Sequence, residues 1–148
     1  MPRALVRITL AILLVLPLGG IVTAQGQVPT PESVLGFPVG ADFELASWDE
    51  SLEYFRALDA ATDRLQLVEV GRTSFGNPWY VALISSAENL ANVEGYREIS
   101  RRLAHPGDLS EEEARRLARE GKAIVHIDAG LHSTETAHAQ HAIELAYD

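Results

Sequence analysis

The sequence predicts an α/β fold in which a mixed sheet is flanked by helices. Two observations lead to this prediction. Stretches that alternate apolar and polar residues, as in residues 65–70, stand between stretches that repeat apolar residues at helical spacing. A short β-branched run at residues 123–129 has the composition of a buried central strand. With 148 residues, of which 47% are hydrophobic, the chain has the length and composition of an ordinary domain.

The first 24 residues have the three-part layout of a secretory signal peptide. Arg3 and Arg7 precede an uncharged apolar run at residues 8–18, and small residues lead up to Ala24. We therefore expect cleavage after Ala24 and a secreted or periplasmic protein. A retained membrane anchor is the alternative, but the run is shorter than the roughly 20 residues that a membrane span needs.

The composition of the exported part limits its partners and its means of stabilisation. The chain has no cysteine, which excludes a disulfide-stabilised domain. Its net charge is −9 with the signal and −11 once Arg3 and Arg7 are removed, which argues against nucleic acid as a partner. We expect no stable membrane association after signal cleavage. The composition does not indicate an oligomeric state.

The first half of the chain predicts a lead-in, one helix and a hairpin. Residues 25–44 are rich in Pro and Gly and are predicted to form an extended lead-in, whose Phe37, Val39 and Phe43 would pack on the domain surface. Ser47 and Glu50 form the capping-box pattern of a helix that ends near residues 61–64. Two strands at residues 65–70 and 79–85 then form a hairpin with a longer loop.

The second half predicts three helices and the central strand. The helices span residues 92 or 93 to 104, 110–121, and 134 or 135 to 147, and the strand at 123–129 precedes the last of them. The predicted order is α-β-β-α-α-β-α. Three strands are few for a sheet with a central strand, and the sequence stops about four turns into the last helix. We therefore predict an incomplete domain.

One short segment carries the chemistry. Gly130 ends the predicted strand, and His132 and Glu135 follow at a spacing of three residues, so that an imidazole and a carboxylate can converge on one ion. This pair suits zinc, and a catalytic zinc takes three protein ligands and a water, so one ligand must come from elsewhere. Asp128 could orient a metal ligand as a hydrogen-bond acceptor, or could hydrogen-bond the following turn. The competing interpretation is an ordinary helix start, where the dipole favours Glu135.

Two further histidines have weaker claims. His138 lies three residues after Glu135, but it is nearly two helical turns from His132, too far for tight tetrahedral geometry, so a ligand role is disfavoured. His126 lies within the predicted strand, and we expect it to be a core histidine with a satisfied hydrogen bond.

The motif resembles that of a known family. The run from Gly130 to Glu135, after a predicted buried strand, resembles the first zinc-binding motif of zinc carboxypeptidases of the carboxypeptidase A type. Upstream, residues 71–79 are similar to the glycine-serine-glycine turn that precedes the second strand of that family. The resemblance covers residues 45–148 and implies the N-terminal portion of a zinc-carboxypeptidase-like (phosphorylase/hydrolase-like) catalytic domain.

The resemblance also implies a function. His132 and Glu135 would be the first two ligands of one Zn²⁺, which polarises a scissile carbonyl and lowers the pKa of its bound water. The third ligand, the general base and the substrate-binding arginines come later in the family, so they are expected beyond Asp148 and no catalytic residue is assigned within the chain. The substrate would be a peptide or protein cut at its C-terminus. The alternatives are a zinc amide hydrolase of acylated amino acids and a non-catalytic domain of the same fold.

Overall fold

A computed structural model describes residues 27–148, and the predicted signal peptide lies outside them. Helices and strands follow in the order α1 (Pro31–Leu35), α2 (Trp48–Ala61), β1 (Leu65–Arg72), β2 (Pro78–Ile84), α3 (Ala87–Ala91), α4 (Val93–Ala104), α5 (Glu111–Glu120) and α6 (Thr136–Tyr147). Within the described residues the sheet has two antiparallel strands. The described fold is therefore mixed α/β, but its sheet is a small antiparallel one and not the predicted mixed sheet flanked by helices. No helix in this part of the chain is both long and apolar enough to cross a membrane.

Local capping signals account for the start of α2. The Ser47 hydroxyl accepts a hydrogen bond from the Glu50 backbone N–H at 3.3 Å, and the Glu50 carboxylate accepts one from the Ser47 N–H at 2.8 Å. These two bonds are the capping box predicted from the sequence, and they satisfy N–H groups that have no partner inside a helix. The same bonds lower the pKa of Glu50, chiefly through the Ser47 backbone N–H.

The predicted hairpin is confirmed. Strands β1 and β2 pair from Leu65 opposite Ile84 to Arg72 opposite Pro78, with one irregularity between Glu69 and Gly71. The connecting turn is closed by a hydrogen bond from the Arg72 guanidinium to the Gly76 carbonyl oxygen at 2.9 Å. Burial alternates over the first five residues of β2, as the period-2 pattern of the sequence predicts, but in β1 it alternates only over Leu65–Leu67, and Val70 is exposed.

The helices α4 and α5 were also predicted correctly and pack as a pair. The Ser110 hydroxyl caps α5 by accepting from the Glu113 N–H at 3.2 Å. An ion pair of 2.8 Å joins Arg102 on α4 to Glu113 on α5. The short helices α1 and α3 were not predicted, although each begins after a hydroxyl cap, Thr30 and Ser86 respectively.

The predicted central strand at residues 123–129 is wrong for the described structure. This segment has no strand partner within residues 27–148, and Ile124, Val125 and Ile127 are 73%, 80% and 62% exposed. A central strand needs a neighbour on each side, and in the described structure β1 and β2 pair only with each other. His126, expected in the core, is exposed for the same reason.

The segment before α2 packs more closely than an extended lead-in would. It contains α1, and Val34, Phe37 and Val39 pack against the core, whereas Phe43 is fully exposed with a φ of +66°. Phe37 and Val39 thus pack as predicted, and Phe43 does not.

The core is small and lies where α2, β1 and α6 meet. It is formed by a cluster of buried side chains: Ala46, Tyr54, Leu58, Leu65 and Ile143. Tyr54 and Ile143 are completely buried, and the Tyr54 hydroxyl donates to the Pro29 carbonyl oxygen at 3.3 Å. The helix that follows the candidate metal pair is therefore anchored in the same core as the N-terminal segment.

Candidate metal centre

A tight turn brings His132 and Glu135 together. The Glu135 backbone N–H donates to the His132 carbonyl oxygen at 3.0 Å, and Glu135 occupies the N-cap position of α6. The two side chains meet, with 2.8 Å between His132 Nδ1 and Glu135 Oε1. The second carboxylate oxygen accepts from the His132 backbone N–H at 3.3 Å. The predicted convergence is present, but a turn before the helix produces it rather than a shared helical face.

Gly130 permits the backbone conformation with which this turn folds back toward α6. Gly130 has a φ of +82°, in the left-handed region that L side chains rarely adopt. A Cβ at this position would lie 3.4 Å from the Ala139 Cβ, so the backbone of Gly130 is packed against the second turn of α6. The loop thereby folds back beside the helix that Glu135 begins.

The surroundings of Glu135 favour its ionised form. Its pKa is lowered, first by the hydrogen bond from the His132 side chain, then by that from the His132 backbone, with a further contribution from His138 nearby. An ionised carboxylate is the form that binds a metal ion.

The pair fits two positions of a zinc site. Two ligand atoms that each lie about 2.1 Å from a tetrahedral zinc are about 3.4 Å apart. The observed distance of 2.8 Å between His132 Nδ1 and Glu135 Oε1 would have to increase by only about half an ångström to reach that value. The side chains of His132 and Glu135 are 75% and 38% exposed, so an ion can reach both. Within residues 27–148, no group of three or more His, Cys, Asp or Glu side chains is arranged to hold a metal. The described residues thus bring two candidate ligands together.

Comparison with protein families decides what kind of protein carries this pair. Residues 52–148, more than half of the chain, match the family model described as zinc carboxypeptidase. The chain belongs to the zinc carboxypeptidase family. Neither the curated proteins nor the solved structures gave a match. The matched range contains His132 and Glu135, and membership implies a hydrolase of the metallocarboxypeptidase type with a peptide or protein substrate.

Asp128 and His138, the other residues predicted near the zinc carboxypeptidase site, do not contact the metal pair as further ligands in the described structure. Asp128 Oδ1 is 3.0 Å from His126 Nε2, and its described hydrogen bond is to that histidine rather than to His132. A role for Asp128 in orienting His132 remains a prediction. His138 is near enough to act on the charge of Glu135 but does not complete a three-ligand group in the described chain.

Gln140 is a residue of this region that sequence reasoning missed. It is 7% exposed on α6, and its amide forms two hydrogen bonds with the backbone of Ala46. Its spacing of three residues from the buried Ile143 places both on one helix face and is the signal that could have revealed it.

Among the open clefts in residues 27–148 of the zinc carboxypeptidase chain, two lie away from the metal pair. One of about 490 Å³ lies between α2 and the start of β2, and one of about 530 Å³ lies between residues 39–45 and α6.

Acid titration should reveal the pairing of Glu135 in the metal-free protein. Because its pKa is lowered, the pairing with His132 is present above the ordinary carboxyl pKa and is lost as pH falls through the lowered value. We expect the Cδ chemical shift of Glu135, followed by NMR, to give a midpoint below that of an unpaired glutamate. His132→Ala should raise this midpoint toward the ordinary value; an unchanged midpoint would contradict the geometry.

Proposed function

We propose that this chain supplies the first two zinc ligands of an exported metallocarboxypeptidase that hydrolyses peptide bonds at peptide C-termini. The observation that carries the proposal is the 2.8 Å approach of His132 Nδ1 to Glu135 Oε1, within the range that matches the zinc carboxypeptidase family. Export is part of the proposal and is supported by the signal-peptide pattern of residues 1–24.

The residues of this chain would act by holding and orienting the metal. His132 would donate Nδ1 and Glu135 a carboxylate oxygen, while the turn between them keeps the two donors together. Bound zinc supplies a Lewis acid that polarises the scissile carbonyl and lowers the pKa of water. The third ligand and the general base would come from outside residues 27–148, in keeping with the later histidine and glutamate that the resemblance implies.

Zinc titration of the signal-free chain tests the ligand assignment. With two ligands present, we expect weak binding of one ion and no peptidase activity by the chain alone. His132→Ala should weaken binding by more than about tenfold, because losing a ligand costs at least as much as losing a residue that merely supports one. Isothermal titration calorimetry measures both affinities.

The chain provides a matched control for this titration. His126 is also an exposed histidine beside a carboxylate, at 3.0 Å from Asp128, but it lies outside the motif. His126→Ala should leave zinc affinity unchanged. Tight binding that survives His132→Ala, or equal losses in both variants, would overturn the assignment.

A further inference from the structure

The amide of Gln140 joins the metal-bearing helix to a distant part of the chain. Its Oε1 accepts from the Ala46 backbone N–H at 3.1 Å, and its Nε2 donates to the Ala46 carbonyl oxygen at 3.2 Å. Both residues are buried, and they lie 94 positions apart in the sequence. One side chain thereby satisfies both backbone groups of Ala46, as a neighbouring strand would. We call this pair of bonds the Gln140 clasp.

The clasp constrains α6 in a way that apolar packing does not. Ile143, the other buried residue of α6, packs in the core cluster. Apolar burial is non-directional, so a helix held by it alone can rotate or slide a little at small cost. Two hydrogen bonds to one residue depend steeply on distance and angle. The clasp therefore sets the position of α6 along and around its axis.

The position of α6 determines that of the metal pair. Glu135 is the N-cap of α6, five residues before Gln140. Gly130 packs against Ala139, the neighbour of Gln140, and His132 lies in the turn between these contacts. A shift of α6 would move Glu135 with the helix and change its distance from His132.

The clasp also reaches outside the family-matched range. The match begins at residue 52, whereas Ala46 belongs to the preceding segment, whose Val34, Phe37 and Val39 cover the core. We propose that Gln140 is a positioning residue for the zinc pair, which it holds in register through Ala46. This inference rests on the proposed function, because it assumes that His132 and Glu135 bind zinc.

Zinc affinity of the signal-free chain tests the proposal. Gln140→Met keeps the length and burial of the side chain but removes both hydrogen bonds. We expect zinc affinity to fall by about tenfold, the lower end of the effect seen for residues that orient ligands, with helix content retained by circular dichroism. Gln140→Glu keeps the acceptor for the Ala46 N–H but, when ionised, turns a buried carboxylate oxygen toward the Ala46 carbonyl oxygen, so a loss at least as large is expected. It also serves as the test if Gln140→Met does not fold.

Two controls separate positioning from general destabilisation. Ile143→Val lowers stability but keeps the clasp, and Tyr54→Phe removes the hydrogen bond to Pro29, another tie to the N-terminal segment. Both should bind zinc like the wild type. Wild-type affinity in the Gln140 variants, or an equal loss in Ile143→Val, would overturn the positioning role. If the wild-type chain itself fails to bind zinc through His132, the proposed function fails instead.

Discussion

Replacing Ile143 with alanine is expected to lower the free energy of unfolding by about 2–5 kcal/mol, the range for emptying a fully buried site. Ile143 is completely buried in the cluster that joins α6 to Tyr54 and Leu58. The loss combines the transfer free energy of the deleted methyl groups with the cavity that they leave. Because native domains are stable by only about 5–15 kcal/mol, this change would remove a large fraction of the total.

Urea denaturation followed by circular dichroism measures this effect. Leu145→Ala is a matched control on the same helix, since Leu145 is exposed, and it should change stability by less than about 0.5 kcal/mol. Ile143→Val, which deletes one methylene, should cost about 0.5–1.5 kcal/mol. Equal effects of Ile143→Ala and Leu145→Ala would show that α6 is not docked in the core.

The second large effect is a loss of stability at alkaline pH that depends on Tyr54. Burial raises the pKa of its hydroxyl to about 12, and the nearby Tyr147 and Glu144 contribute to the increase. An unfolded tyrosine ionises near pH 10. The folded protein therefore keeps a proton that the unfolded chain loses, so stability is complete below about pH 10 and falls between pH 10 and 12. Since a shift of one pKa unit corresponds to about 1.4 kcal/mol, the fall approaches about 3 kcal/mol.

Comparison with Tyr54→Phe isolates this contribution. Phenylalanine keeps the buried ring and has no proton to lose, so the slope of stability against pH that remains reports all other groups. We expect the wild type to lose stability more steeply than Tyr54→Phe in urea titrations between pH 10 and 12. Parallel curves would mean that the Tyr54 hydroxyl is not sheltered from water.

Elements with strong local signals were predicted well. Ser47 and Ser110 cap helices in the structure as their spacing from Glu50 and Glu113 indicated. A cap is decided by residues within one turn, so the sequence contains nearly all the information that its formation needs. The hairpin is similarly local, since its strands are joined by a short turn.

The failure at residues 123–129 has a different origin. An apolar β-branched run has the residue composition of a strand, but a strand forms only when the edge of a neighbouring strand supplies hydrogen-bond partners. That edge is distant in sequence and leaves no mark within the seven residues. In the described structure β1 and β2 pair with each other, so residues 123–129 have no strand partner and Ile124 and Val125 stay exposed.

The candidate site contains one feature that is local in sequence, the turn from His132 to Glu135, and one that depends on a distant residue, the Gln140 clasp. The spacing of His132 and Glu135 predicted that their side chains would converge, and a turn of four residues achieves this. The Gln140 clasp could not be predicted in the same way, because Ala46 contributes only its backbone and any residue type offers the same groups. A sequence pattern identifies side chains with distinctive chemistry, but it does not indicate which backbone N–H and C=O groups those side chains will bind.

The exposure of residues 123–129 also bears on how this chain behaves in concentrated solution. These residues are exposed and belong to no helix or strand of the described structure, and an exposed run rich in β-branched side chains resembles an unprotected edge that invites pairing with other chains. Lys122 and Asp128 bracket most of the run, and charges in such positions oppose stacking because they must be desolvated when copies pair. The carboxylate beside the zinc motif would thus have a second consequence, which is to oppose aggregation through this exposed apolar run.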